Sequence, residues 1–328
     1  MTQRSFTEFR APGKLVLLGE YAVAFGYPGV VMAVDRHVTL SRAEASPETA
    51  GDDLVSFARR EAAAQLGVSL DASIWRADSS SFSQAGIKLG LGSSAAVTAA
   101  SVASVFSASG LDISNEIIRR KIWQVAHEAH NRFQGSSGSG IDVAAAVFGG
   151  IVCMEPSVAN EAPAFFNLSL PPDLIILAAW TGGSASTPEL LRAVQTFKKN
   201  SGEAFDRIVA AMAAEVEGVT KDKADAARWR LAARRYGEWM RDLGRAAGVD
   251  IVTPVMTRIS EIAESCGGSA KPSGAGGGDM MLAFFPAGAG VQAFKRELPK
   301  AGGTIIGLDS DPIGVHSVPA RGPGGQLP

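Results

Sequence analysis

Three glycine-rich stretches, each joined to an apolar run, constrain this chain most. They are "APGKLVLLGEYAV" (11–23), "KLGLGSSAAV" (88–97) and "KPSGAGGGDMM" (271–281). Glycine-rich backbone costs conformational entropy, so three such loops in one chain point to close approach of a ligand. The middle one leads straight into an alanine-rich run that reads as a helix. A tight turn with a serine N-cap is one reading of Gly90-Leu91-Gly92-Ser93-Ser94. The other is an anion cradle, because a helix N-terminus presents unpaired N–H groups and the positive end of the dipole. The common nucleotide signatures do not fit. There is no G-x-x-x-x-G-K-[ST], and Ala95 stands where G-x-G-x-x-G needs its last glycine.

The pattern around these loops alternates strands and helices. Short apolar or β-branched runs at 15–18, 30–34, 38–42, 72–77, 150–155, 174–180, 280–285 and 303–308 read as strands. Helices are expected at 61–66, 95–109, 115–133 with Ser114 as cap, 142–148, 188–247 with glycines at 202 and 218, 254–266 and 291–298. The class is therefore α+β or α/β. The length of 328 residues suits two domains sharing a cleft, and the end "PARGPGGQLP" reads as disordered. A net charge of −2 argues against broad nucleic-acid binding. Cys153 and Cys266 form no C-x-x-C pair, so neither a disulfide framework nor a zinc knuckle is expected. No signal core opens the chain and no apolar run is long enough for a bilayer, so a cytoplasmic enzyme is expected.

Taken in order, the motifs "APGKLVLLGEYAV", "GLGSSAA" and "KPSGAGGGD" resemble those of the GHMP kinase superfamily. The resemblance implies an α+β fold of two domains with ATP between them: an N-terminal α/β domain (1–170), a ferredoxin-like C-terminal domain (171–318) and a tail (319–328). It implies ATP and Mg2+ as cofactors. Gly90, Leu91, Gly92, Ser93, Ser94 and Ala95 would wrap the ATP phosphates, with Lys88 just before them, and Ser94 would touch magnesium. Within the superfamily, residues 129–150 ("AHNRFQGSSGSGIDVAAAVFGG") and 180–187 ("WTGGSAST") resemble the members that phosphorylate 5-phosphomevalonate. Mevalonate or another alcohol is the alternative acceptor, and a silent ATP- or metabolite-binding relative is a second alternative.

Two charges carry the expected chemistry. Lys14 is either a solvated strand end or the cation that neutralises the transferred phosphoryl group and orients the acceptor. Asp142 is either an N-cap or, as the resemblance implies, the partner of that lysine and the base for a hydroxyl acceptor. A phosphate acceptor has a second pKa of about 6 and is already anionic, so Asp142 would then orient rather than take a proton. His127 and His130 are three apart, so H-E-x-x-H fails and His130 is placed by the resemblance near the substrate. Glu128 is out of register with the magnesium-binding Glu of mevalonate kinases, which leaves the carboxylate ligand unassigned. Lys88, Ser139, Ser186, Thr187, Lys271 and Ser273 have the chemistry of a phosphate site. Glu20, Tyr21, Gly138 and the loop Gly274, Ala275, Gly276 and Gly277 complete the expected acceptor site. The expected partner is a small molecule, with neither nucleic acid nor membrane, and a homodimer stays open.

Overall fold

The apolar runs that flank the first glycine motif pair with each other. In the computed structural model, which describes residues 6–43, 53–84, 86–135, 138–156, 162–183, 187–221 and 224–319, β1 (Phe6–Leu18) runs antiparallel to β2 (Gly29–Ala43). The two runs expected at 30–34 and 38–42 are one strand, because the ladder continues past the more exposed Asp35–His37 step. A register shift between Pro12 and Gly13 absorbs the irregularity. Next come α1 (Leu54–Leu66), β3 (Ile74–Asp78), the short hairpin β4 (Ser83–Gln84) and β5 (Ile87–Lys88), and α2 (Ser93–Ala108). They are followed by α3 (Glu116–Gln134), α4 (Ile141–Phe148), β6 (Ile151–Glu155) and β7 (Ala164–Asn167).

The rest of the chain builds a second sheet and its helices. These are β8 (Leu174–Trp180), α5 (Thr187–Asn200), α6 (Gly202–Thr220), α7 (Ala226–Ala247), α8 (Pro254–Ser265), β9 (Ser269–Ser273), β10 (Met280–Pro286), α9 (Val291–Glu297) and β11 (Thr304–Ile306). The final strand, β12 (His316–Pro319), returns to the first sheet and pairs with β1. The first sheet has the order β12-β1-β2-β6-β7 with β3 also on β2, and the second is an antiparallel β11-β8-β10-β9. That second order, with helices between its first two and last two strands, is the ferredoxin-like arrangement. Pro319 ends β12, and the rest of the expected tail lies outside the described residues.

Packing explains why α2 sits at the centre. Its buried side chains are mostly alanine, serine and valine, which let α1, α3, α4 and β1 come close. In β10, Met280, Leu282 and Phe284 join the large core shared with α7, whereas Met281, Ala283 and Phe285 pack with α8 and α9. This two-residue alternation buries both faces of one strand. The cap of α3 is Asn115 rather than Ser114. Asn115 Oδ1 accepts from the Ile117 and Ile118 N–H groups, while Ser114 is turned to Asp112. The segment Lys271-Pro272-Ser273, expected as loop, is β9. Its proline is tolerated because β9 is an edge strand. No helix among the described residues is long and apolar enough to cross a membrane.

Candidate active site

The turn before α2 has the properties of an anion cradle. Gly92 occupies the N-cap with φ of 79°, and no side chain caps the helix. Ser93 and Ser94 are therefore the first helical residues, not caps, and the early N–H groups have no side-chain acceptor from the cap. A Cβ on Gly92 would stand 2.9 Å from Lys14 Cγ, and one on Gly90 would stand 3.1 Å from Asp279. Both positions also have positive φ, so glycine is demanded twice over. The missing side chains let Lys14 and Asp279 pack directly against a turn whose backbone N–H groups suit an anion.

Lys14 is delivered to this turn by β1. Its backbone N–H donates to Leu91 O at 2.9 Å, and its Nζ lies 3.4 Å from Gly90 O. Gly13 allows that approach, since a Cβ there would meet Leu91 O at 2.9 Å. The ammonium also borders the third motif: a Cβ on Gly274 would lie 3.7 Å from it. One cation thus touches two of the three glycine loops.

The other wall comes from α3 and α4. His130 is buried, and its Nε2 is 3.1 Å from Ser94 Oγ. Burial lowers its pKa, against a smaller opposing effect of the Asp142 charge. In the neutral tautomer with the proton on Nδ1, Nε2 accepts from the Ser94 hydroxyl, which leaves the oxygen lone pairs of Ser94 for another partner. Gln134 Nε2 approaches the same pair, at 3.0 Å from His130 Nε2 and 3.4 Å from Ser94 Oγ. Asp142 lies in the first turn of α4 behind an N-cap at Gly140, so it is not the cap; its Oδ1 accepts from the Val143 N–H at 2.9 Å. The loop entering α4 is held by α3. Trp123 Nε1 donates to Gly140 O at 3.0 Å, His127 Nε2 donates to Gly138 O at 2.8 Å, and Gly138 N donates to Asn131 Oδ1 at 2.8 Å. Ser139 Oγ accepts from the Ile141 N–H at 3.3 Å. Among the described residues no hydrogen bond or ion pair joins Lys14 to Asp142; the Asp142 charge acts instead on His130, the partner of Ser94.

The remaining expected residues separate into two groups. Glu20, Tyr21, Lys271 and Ser273 are buried where the first motif meets the third. Lys271 Nζ donates to Glu20 Oε1 and to Pro272 O, the latter at 2.7 Å. Ser273 Oγ bonds Val16, accepting its N–H at 3.0 Å, and Tyr21 OH donates to Ala275 O at 2.5 Å. Gly276 and Gly277 fold against Ile251, whose carbonyl accepts the Gly277 N–H at 2.8 Å. By contrast, Lys88 is exposed on β5 and Thr187 is exposed at the start of α5. Ser186 lies outside the described residues. A groove of about 710 Å3 runs between α7 and α8, lined by Arg241, Arg245 and Arg258 among others, but none of Lys14, Ser94 or Asp142 borders it.

Sequence reasoning missed Gln134 and Tyr236. Gln134 follows His130 by four residues, the spacing of one helix face, so that pair was detectable. Tyr236 OH reaches Glu20 O at 2.8 Å across 216 positions of sequence, and nothing local announces it. A magnesium ion fits the donors present in one way. Among the described residues no cluster of three or more His, Cys, Asp or Glu can hold a metal. Mg2+ commonly relies on substrate phosphates and water with few protein ligands, which suits the lone pairs of Ser94 Oγ.

Known proteins share the family and the fold of this chain. Residues 60–150 match the GHMP kinases N terminal domain, and residues 227–304 match the GHMP kinases C terminal family. A phosphomevalonate kinase of Streptomyces sp. (strain CL190) is 28% identical over 84% of this chain and 89% of its own. A mevalonate kinase of Thermococcus gammatolerans is 26% identical over 84% of this chain and 88% of its own. The solved structure of Streptococcus pneumoniae phosphomevalonate kinase in complex with phosphomevalonate and AMPPNP has a TM-score of 0.77 at 16% identity, covering 92% of this chain and 99% of that one. With both halves of the family matched in order over a fold shared along nearly its whole length, this chain belongs to the GHMP kinases.

Proposed function

We propose that this kinase transfers the γ-phosphoryl group of ATP to the phosphate of 5-phosphomevalonate, giving ADP and 5-diphosphomevalonate in the mevalonate route to isoprenoids. The observation that carries the reading is the Lys14 ammonium, set against an uncapped glycine turn at the start of α2. An acceptor phosphate oxygen attacks the γ-phosphorus while its bond to the β,γ-bridging oxygen breaks and ADP leaves. The N–H groups of residues 92–95 hold the nucleotide phosphates, and Lys14 neutralises the charge on the moving group. Magnesium, when bound, adds charge neutralisation on the phosphates, with Ser94 Oγ as its protein donor.

The acceptor assignment is supported by the Streptomyces phosphomevalonate kinase and by the separation of Lys14 from Asp142. An acceptor phosphate is already anionic near neutral pH and needs no base. Asp142 then sets the orientation of His130 and the acceptor. The mevalonate kinase of Thermococcus gammatolerans supports a second reading, in which Asp142 takes the proton of an alcohol. Phosphorus NMR of the products from an ATP-dependent substrate panel separates the two. The expected product of 5-phosphomevalonate shows two mutually coupled phosphorus signals. Faster turnover of mevalonate, with a single uncoupled product signal, overturns the assignment.

A further inference from the structure

The first and third glycine motifs meet at a buried cation and carboxylate that the phosphoryl-transfer chemistry above leaves unused. The Lys271 side chain is 0% exposed and that of Glu20 is 1% exposed. The ammonium has three donors, and three oxygens face it: Glu20 Oε1, Pro272 O at 2.7 Å and Val16 O at 3.4 Å. Its Nζ lies 5.6 Å from the centre of the Tyr236 ring, and Tyr236 OH in turn donates to Glu20 O at 2.8 Å. Gly237 on α7 closes the stem side, since a Cβ there would be 3.2 Å from Lys271 Cβ. Burial pushes the Lys271 pKa down and that of Glu20 up, each opposed by the charge of the other. A ligand phosphate has no open path to this ammonium.

The neighbours of the pair lead directly to the reacting groups. Val16, two residues after Lys14, is bonded through both its N–H and its C=O to Ser273 Oγ, at 3.0 and 3.1 Å. Gly274, the next residue, is the one whose Cβ would lie 3.7 Å from Lys14 Nζ. We propose that Lys271 and Glu20 form a positioning pair: they lock β9 to β1 so that Gly274 and the Lys14 ammonium stay side by side at the glycine turn, and Lys271 contacts no substrate phosphate. This rests on the reading of Lys14 as the cation that serves phosphoryl transfer.

The test compares Lys271→Met, Glu20→Gln, the double variant and Lys14→Met in the full chain. Thermal melting is measured first, and then kcat and both KM values with ATP and 5-phosphomevalonate, well below the lowest melting temperature. Each single change in the pair is expected to lower kcat by about 10–100-fold through misplacement, with both KM values within about threefold of wild type. The double variant is expected to melt higher than either single variant and to regain about threefold or more in kcat, because no unpaired buried charge remains. If a single variant does not fold, the double variant carries the test, with unchanged acceptor KM as the expected result. An acceptor KM raised about 10–150-fold by Lys271→Met or by the double variant is the mark of a lost phosphate contact and overturns the proposal. Unchanged kcat in the folded single variants also overturns it. Normal turnover by Lys14→Met instead refutes the underlying reading of Lys14, whatever the pair does.

Discussion

Lys14, Gly92 and Ser94 carry the sharpest expectations at the scale of single residues. Lys14→Met keeps the length of the side chain and removes its charge, so kcat should fall by about 10²–10³-fold, the scale for losing one preorganised stabiliser. Steady-state kinetics check this, and turnover equal to wild type would count against the site. Gly92→Val forces a β-branched residue into positive φ and places its Cβ against Lys14, 2.9 Å from Cγ of the lysine. Binding of a fluorescent ATP analogue should be lost while the far-UV circular dichroism remains. Retained binding would place the phosphates elsewhere. Ser94→Ala removes the hydroxyl held by His130 and Gln134. The expected result is a higher Mg2+ concentration for half-maximal rate, read from a metal titration at saturating ATP.

At the scale of elements, caps decide where helices begin and what they offer. Two helices of the site, α2 and α4, start at glycines with positive φ and no capping side chain, whereas α1, α3, α7 and α8 carry Asp53, Asn115, Asp225 and Thr253 as bonded caps. Both of these starts lie in the candidate site, where backbone donors are useful to a ligand; α6 and α9 also begin without a capping side chain, so it is the positive-φ glycine that sets α2 and α4 apart. The capped ones lie elsewhere and serve stability. Asn115→Ala should therefore cost about 0.5–2 kcal/mol in a denaturant melt and leave kcat unchanged. A fall in kcat without loss of stability would tie α3 to catalysis through its first turn rather than through His130. The buried Cys153 on β6 belongs to the same structural class, because burial pushes its thiol up to about 12 and leaves it unreactive near neutral pH.

Over the whole molecule, the closing segment fastens the second half of the chain to the first sheet. Asp311 N donates to Ala33 O at 3.0 Å, Asp311 O accepts from Gly150 N at 2.5 Å, and the carboxylate meets His37 Nε2 at 2.5 Å. Burial alone would raise the Asp311 carboxyl, but hydrogen bonds from Gly314 N, His37 and Ile313 N hold it below the usual carboxylate range. A carboxyl depressed in the folded state stabilises above its unfolded pKa, about 3.9, and loses that contribution as pH falls through the folded value. Asp311→Asn should thus lower Tm at pH 7, and the difference from wild type should shrink steadily below about pH 4. A difference that stays constant with pH would mean that shape, not charge, is what Asp311 supplies. The sequence by itself determined the type of most strands and helices, the family resemblance, and the glycine turn. All of these depend on residue type and short-range spacing, such as positive φ at Gly90 and Gly92. The tertiary structure decided what Lys271, Ser273, Glu20 and Tyr21 touch. In "KPSGAGGGD" a lysine and a serine beside glycines read as phosphate ligands, yet β9 is an edge strand folded onto β1, and their partners lie more than 250 residues away. It also revealed β12, whose four residues become a strand because β1 offers a free edge. Local sequence reports what a residue is able to bond; which group lies opposite is set by how distant strands pack, and no short window contains that information.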